Sequence, residues 1–149
     1  MRALTLTEPW ATLMMLHEKC VETRSWKLPN WIIGQDVVIH SAKGFPKWAQ
    51  ETCKEEPFYS SLRPLGNYAY PELHRGHGLC IVKFLGCRKT EDVRGQLSAK
   101  ELAFGDYGDE RFAWMTEYVE RWAIPTPAVG HLGFWNWTRE QAGETEPRK

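Results

Sequence analysis

The sequence predicts an α+β domain in which short strands and short helices alternate along the chain. Near the N-terminus, Trp10, Leu13, Met14 and His17 recur at i, i+3, i+4 and i+7, the spacing of a short amphipathic helix. The stretches 20–26, 35–42 and 79–85 are instead short, β-branched or alternating, and bounded by proline, glycine or polar residues, as strands are. A chain of 149 residues, 42% hydrophobic and 26% charged, also has the size and balance of one globular domain that buries its own core.

In chain order, 3–6 is a strand, and Thr7 is placed to N-cap the helix that follows. Glu8 and Pro9 suit its first turn, where an acid meets the positive end of the dipole and proline lacks no needed donor. Residues 20–26 form the next strand, with Cys20, Glu22 and Arg24 on one face and Val21 and Thr23 on the other, while Lys19 belongs to the turn before it. The strand at 35–42 follows the breaks at Pro29 and Gly34. Residues 44–62 read as helical, with Trp48, Cys53 and Phe58 on a buried face and Pro57 breaking or ending the run. A loop is expected over 63–77, with Tyr68 and Tyr70 packed inside it. The strand at 79–85 is almost continuously apolar, which places it centrally in the sheet.

The mixed charges of 88–94 read as a solvated connection. Ser98 is placed to cap a short helix reaching Phe104, and 105–109 is a turn cluster. Residues 111–122 fit two patterns: Phe112, Trp114, Thr116 and Tyr118 alternate as a strand, while Phe112, Met115, Val119 and Trp122 fit a helix. A closing strand is expected over 129–137, with Gly130 and Gly133 suited to a bulge or a close backbone approach. The domain so defined spans 1–138, and 139–149 is a polar tail expected to be disordered. No internal repeat interrupts it.

Composition narrows the function. With 19 basic and 19 acidic residues the net charge is zero, so any nucleic-acid binding rests on local clustering and not on a broad basic surface. No apolar run reaches membrane-spanning length and no signal peptide is evident, so no membrane association is expected. The four cysteines, at 20, 53, 80 and 87, form no C-x-x-C pair, and scattered thiols suit a reducing, cytoplasmic setting. His74 and His77 lack a third ligand, so neither a metal nor any other cofactor is expected. The eight tryptophans are unusual for this length. Most belong in the core, which leaves one or two to stack a base.

The densest chemistry lies in His17-Glu18-Lys19-Cys20-Val21-Glu22-Thr23-Arg24, bracketed by Trp10 and Trp26. The run from Leu4 to Leu13, then Lys19-x-x-Glu22-x-Arg24-Ser25-Trp26, then Val38-Ile39-His40-Ser41-Ala42-Lys43 resembles the ASCH domain, the activating signal cointegrator homology branch of the PUA-like proteins. That signature is written G-x-K-x-x-E-x-R, and His17 stands here at its glycine. The resemblance resumes at Arg75-Gly76 before 78–84, at Arg111-Phe112-Ala113-Trp114, and from Pro125 to Trp137 through Gly130, Gly133, Phe134, Trp135 and Asn136. It implies a PUA-like mixed β-barrel with a short N-terminal helix and one or two further helices packed at its side, and it favours the strand at 111–122.

The resemblance also implies a cleft between barrel and first helix, walled by Lys19, Glu22 and Arg24, with Lys43 as a neighbour and Trp10 and Trp26 as stacking partners. An arginine there presents a planar fork to phosphate or base edge, and a lysine a compact cation. Glu22 pairs with either cation or accepts from an exocyclic amine; an ion pair with Arg24 that merely pins the hairpin is the plainer alternative. The function implied is binding of RNA, single-stranded nucleic acid or a modified nucleoside, with no obligate protein partner. The alternative is a small hydrolase, a ribonuclease or an N4-acetylcytidine amidohydrolase, with Lys19 and Glu22 as catalytic residues. The amidohydrolase pattern places a threonine three positions after the lysine, where this chain has Glu22, and Thr23 falls on the opposite strand face.

Overall fold

The computed structural model describes residues 1–65 and 73–138. Six strands form one mixed sheet: β1 (Arg2–Leu6), β2 (Val21–Arg24), β3 (Asp36–Ser41), β4 (His77–Lys89), β5 (Phe112–Pro127) and β6 (Phe134–Asn136), in the order β2-β5-β4-β3-β1-β6. β1 and β3 run parallel and every other pair is antiparallel. The helices are short: α1 (Trp10–Met15), α2 (Lys47–Thr52), α3 (Phe58–Leu62), α4 (Thr90–Val93) and α5 (Ala99–Ala103). The α+β class and the mixed, curling sheet are those the sequence predicts.

The curl can be measured. Trp114 on β5 and Phe134 on β6 stand four ladder steps apart, which in a flat sheet is about 19 Å. Their rings nevertheless stack 5.7 Å apart at 22°, and Phe84 of β4 meets both edge-on. The sheet has therefore rolled until its flanks share one aromatic cluster. The ladder between β4 and β5 shifts register at Gly78/Cys80, Ile81/Val82 and Phe84/Gly86, and such bulges add the local twist that rolling needs.

β3 is covered on both faces, which explains its unbroken apolar run. Val37 and Ile39 join Leu4, Leu6, Phe84 and Trp114 in the inner core, while Val38 packs with Ala3, Ile81, Trp122 and Trp135 on the other side. A six-residue helix such as α1 is marginal alone. It is held because Met14 and Met15 enter the inner core and Leu13 packs with Phe58, Leu62 and Phe104.

Several expectations need correction. The Thr7 hydroxyl does not cap α1; the Glu8 carboxyl accepts from Thr12 N at 2.9 Å and from Thr12 Oγ1 at 2.6 Å instead. Pro57 does divide 44–62, into α2 and α3, but Trp48 is 62% exposed and off the buried face assigned to it. Residues 88–94 are not a solvated connection: Arg88 and Lys89 extend β4, and Thr90 and Val93 are buried in α4. The closing strand shrinks to Phe134–Asn136, preceded by Gly133 with φ +65°. Ser98 caps α5 as expected, accepting from Glu101 N at 3.1 Å, and the ambiguous segment is strand from Phe112 onward. Tyr68, Tyr70 and the tail at 139–149 lie outside the described residues.

Candidate functional site

The cleft is built from the end of α1 onward. After Met15 the chain reverses, with Glu18 N and Lys19 N both donating to Leu13 O, at 2.9 and 3.1 Å. His17 makes the reversal with φ +60° and stacks on Tyr118. A left-handed backbone is costly for most side chains and free for glycine, which gives a physical reason for the glycine of the resembled signature at this point. β2 is then fastened to β5 at both ends. Thr116 N and Oγ1 donate to Cys20 O, at 3.1 and 2.6 Å, and Trp114 Nε1 donates to Trp26 O at 3.1 Å.

This framework turns Lys19 inward. Only 2% of the residue is exposed, and a buried ammonium needs acceptors around it. Lys19 Nζ donates to Val21 O and lies 3.4 Å from Glu22 Oε1. The other oxygen of Glu22 accepts from Arg24 Nε at 2.7 Å. One carboxylate thus bridges two cations. Arg24 is held at Nε, with its guanidinium over the rings of Trp26 and Trp114 at 5.6 and 5.4 Å. Its terminal nitrogens retain their donors, since among the described residues they meet no acceptor.

Lys19, Glu22 and Arg24 line one cleft of about 630 Å³ together with Trp10. Its remaining walls come from Thr5 to Thr7, from Thr23, from 103–106, and from Trp48 and Arg111. Trp10 and Trp48 stand as a tilted aromatic pair, centroids 5.8 Å apart. Arg111 donates from Nε to Asp106 O at 3.0 Å, so it too is braced by backbone. Thr23 Oγ1 accepts from Asp106 N at 2.9 Å and holds that loop in place. Gly105 permits the approach, because a Cβ there would lie 2.9 Å from Tyr107 and 3.0 Å from Thr23 Oγ1.

The sequence-derived residues therefore divide. Lys19, Glu22, Arg24 and Trp10 share the cleft. Trp26 lies outside it, 55% exposed, and reaches it only through the Arg24 guanidinium. Lys43 lines a second hollow across Thr5. Trp48, Asp106 and Arg111 were missed as cleft residues, and Thr23, expected on the opposite strand face, lines the cleft as well. Trp48 carried the spacing of a buried helix face, and Arg111 was visible only as the first residue of Arg-Phe-Ala-Trp.

No group of His, Cys, Asp and Glu among the described residues has the geometry to hold a metal ion, and no described helix is long and apolar enough to cross a membrane. No family model and no curated protein matches the chain. Among solved structures, that of an ASCH protein from Zymomonas mobilis is similar at TM-score 0.48 and 12% identity, over 85% of this chain and 72% of that one. A mutant form of the same protein is similar at TM-score 0.46 and 14% identity, over the same shares. The name these structures carry is that of the family the sequence resembles; likeness at this level says nothing of site or activity.

Proposed function

We propose that the chain binds single-stranded or modified RNA, or its nucleotides, in the cleft of Lys19, Glu22 and Arg24. The observation that supports this is the pairing of two kinds of wall in one hollow. Trp10 and Trp48 offer an aromatic face, and Arg24 and Arg111 offer guanidinium donors held by Glu22 and by the Asp106 backbone. A base has a π-face that stacks on tryptophan, and its phosphate takes the fork of an arginine. Lys19 and Glu22 hold Arg24 in position from behind, and Trp26 supports its far face. The hydrolytic alternative draws no such support. Lys19 and Glu22 are engaged with one another and with Val21 O, and Thr23 is engaged by Asp106.

Lys19→Ala is a poor test, because removing a buried cation beside Glu22 disturbs folding as well. Arg24→Ala and Trp48→Ala are better, since both side chains reach solvent. Each is expected to weaken binding of a fluorescein-labelled single-stranded RNA hexamer about tenfold, the scale of one lost stacking or phosphate contact. The RNA should return with unchanged mass. Wild-type protein that fails to bind the hexamer and cytidine monophosphate alike overturns the reading. New products that vanish in Arg24→Ala would establish the hydrolase instead.

A further inference from the structure

A second hollow, of about 890 Å³, adjoins the first at Thr5, which lines both. It is formed where the end of β3, the start of β4 and the end of β5 converge. Backbone hydrogen bonds fix its walls: Gly76 N donates to Ser41 O at 2.9 Å and Ala128 N to Gly76 O at 3.0 Å. His40 forms its back. One ring nitrogen bonds Thr5 Oγ1 at 3.0 Å, the other bonds Ala128 O at 2.8 Å, and burial lowers its pKa. His40 is thus structural wall, with no nitrogen left for a ligand. Gly130 lets the last wall close on it, for a Cβ there would lie 2.8 Å from both the His40 ring and Thr5 Oγ1.

The charge of this hollow is one-sided. Lys43 and Arg75 line it, both exposed, and none of its described lining residues is acidic. Arg75 rests over the Phe45 ring at 5.7 Å and senses the buried Glu8 carboxyl, which lies on the core side. The lip is apolar, with Val129 and Leu132 largely in solvent. A free nucleoside held in the first cleft would leave these cations unused. A ligand that serves both hollows carries repeated negative charges along a chain of flat apolar groups, which describes a single nucleic-acid strand. A duplex hides its base faces and calls for a broad basic surface that a chain of zero net charge lacks.

Resting on the cleft assignment above, we infer that the second hollow holds the phosphodiester backbone flanking the nucleotide bound in the first, with Lys43 and Arg75 as its phosphate contacts. The ligand is then an oligonucleotide strand crossing Thr5 and not a free nucleoside. The test compares a fluorescein-labelled single-stranded RNA hexamer with cytidine monophosphate, on wild type, on the double variant Lys43→Ala/Arg75→Ala and on Arg24→Ala, over a range of salt.

The hexamer is expected to bind wild type at least about tenfold more tightly than the mononucleotide. The double variant should lose that advantage, flatten the log–log salt slope by about 1.4 and leave the mononucleotide unaffected, as two lost single-strand phosphate contacts require. Arg24→Ala should weaken both ligands. An unchanged hexamer affinity and salt slope in the double variant, with both ligands still weakened by Arg24→Ala, overturns the strand path and leaves the first cleft standing. If neither ligand binds wild type, the cleft assignment fails and this inference falls with it.

Discussion

At the scale of the residue, Glu8 is the side chain whose role sequence reading placed least well. It was expected in the first turn of the helix, where its charge would meet the dipole; it is fully buried, one residue outside the cap of α1, with both oxygens on Thr12. Burial raises its pKa from 4.5 to about 7, against the lowering influence of the Thr12 hydrogen bonds and of Arg75. The fold therefore prefers the protonated carboxyl. Its stabilising contribution is fully present below pH 4.5 and is lost as pH rises through about 7, roughly 3 kcal/mol in all. Glu8→Gln keeps a hydrogen-bonding amide in the same space and does not titrate. Denaturant unfolding at a series of pH values should show wild type losing stability relative to Glu8→Gln between pH 5 and 8. Parallel pH profiles would refute this. By contrast, Lys19, Glu22 and Arg24 were legible, because alternation along β2 puts two of them on one face and the turn supplies the third. Trp48 was not legible, since helical spacing alone does not say which helix faces are covered.

At the scale of the element, what could be read was the covered part of each strand. The sequence marked 79–85, yet β4 runs from His77 to Lys89, its outer end carrying Arg88 and Lys89 in the manner of a loop. β5 was ambiguous for a different reason. The register shifts at Gly78/Cys80 and Ile81/Val82 leave extra residues on β5, so strict alternation does not survive along Phe112–Pro127. Gly78 sits at the first of these shifts and lets the ends of β4 and β5 be crossed by tryptophans. A Cβ there would lie 2.6 Å from Trp137 and 2.7 Å from Trp122, whose rings are 5.4 Å apart. Gly78→Ala is expected to destabilise the fold by about 1–3 kcal/mol, since two large rings must give way together. A shifted denaturation midpoint measures it, and an unshifted one would show that the bulge absorbs the methyl group.

At the scale of the whole molecule, the rolled sheet decides where everything else sits. Hydrogen bonding leaves β2 and β6 as opposite edges, both short, so the flanks are drawn together by side chains and not by a seventh ladder. Rolling brings β1 and β2, at some remove along the sheet, to line the same cleft, and no local pattern announces a contact of that kind. Phe134 carries much of the closure: it stacks on Trp114 and meets Phe84 and Trp31 edge-on, at 5.7, 5.6 and 6.0 Å. If closure rests on this cluster, Phe134→Ala should cost about 2–4 kcal/mol, lower the melting temperature by roughly 10 °C and reduce the near-ultraviolet circular dichroism of the tryptophans. It should also loosen the cleft, because Trp114 holds Trp26 O and lies beneath Arg24, so RNA affinity should fall although Phe134 does not line the cleft. Ile124→Ala, at an exposed position on the same sheet, should change stability by no more than about 0.5 kcal/mol. Equal effects of the two substitutions would mean that the backbone ladders alone hold the curve and that the aromatic cluster merely occupies it.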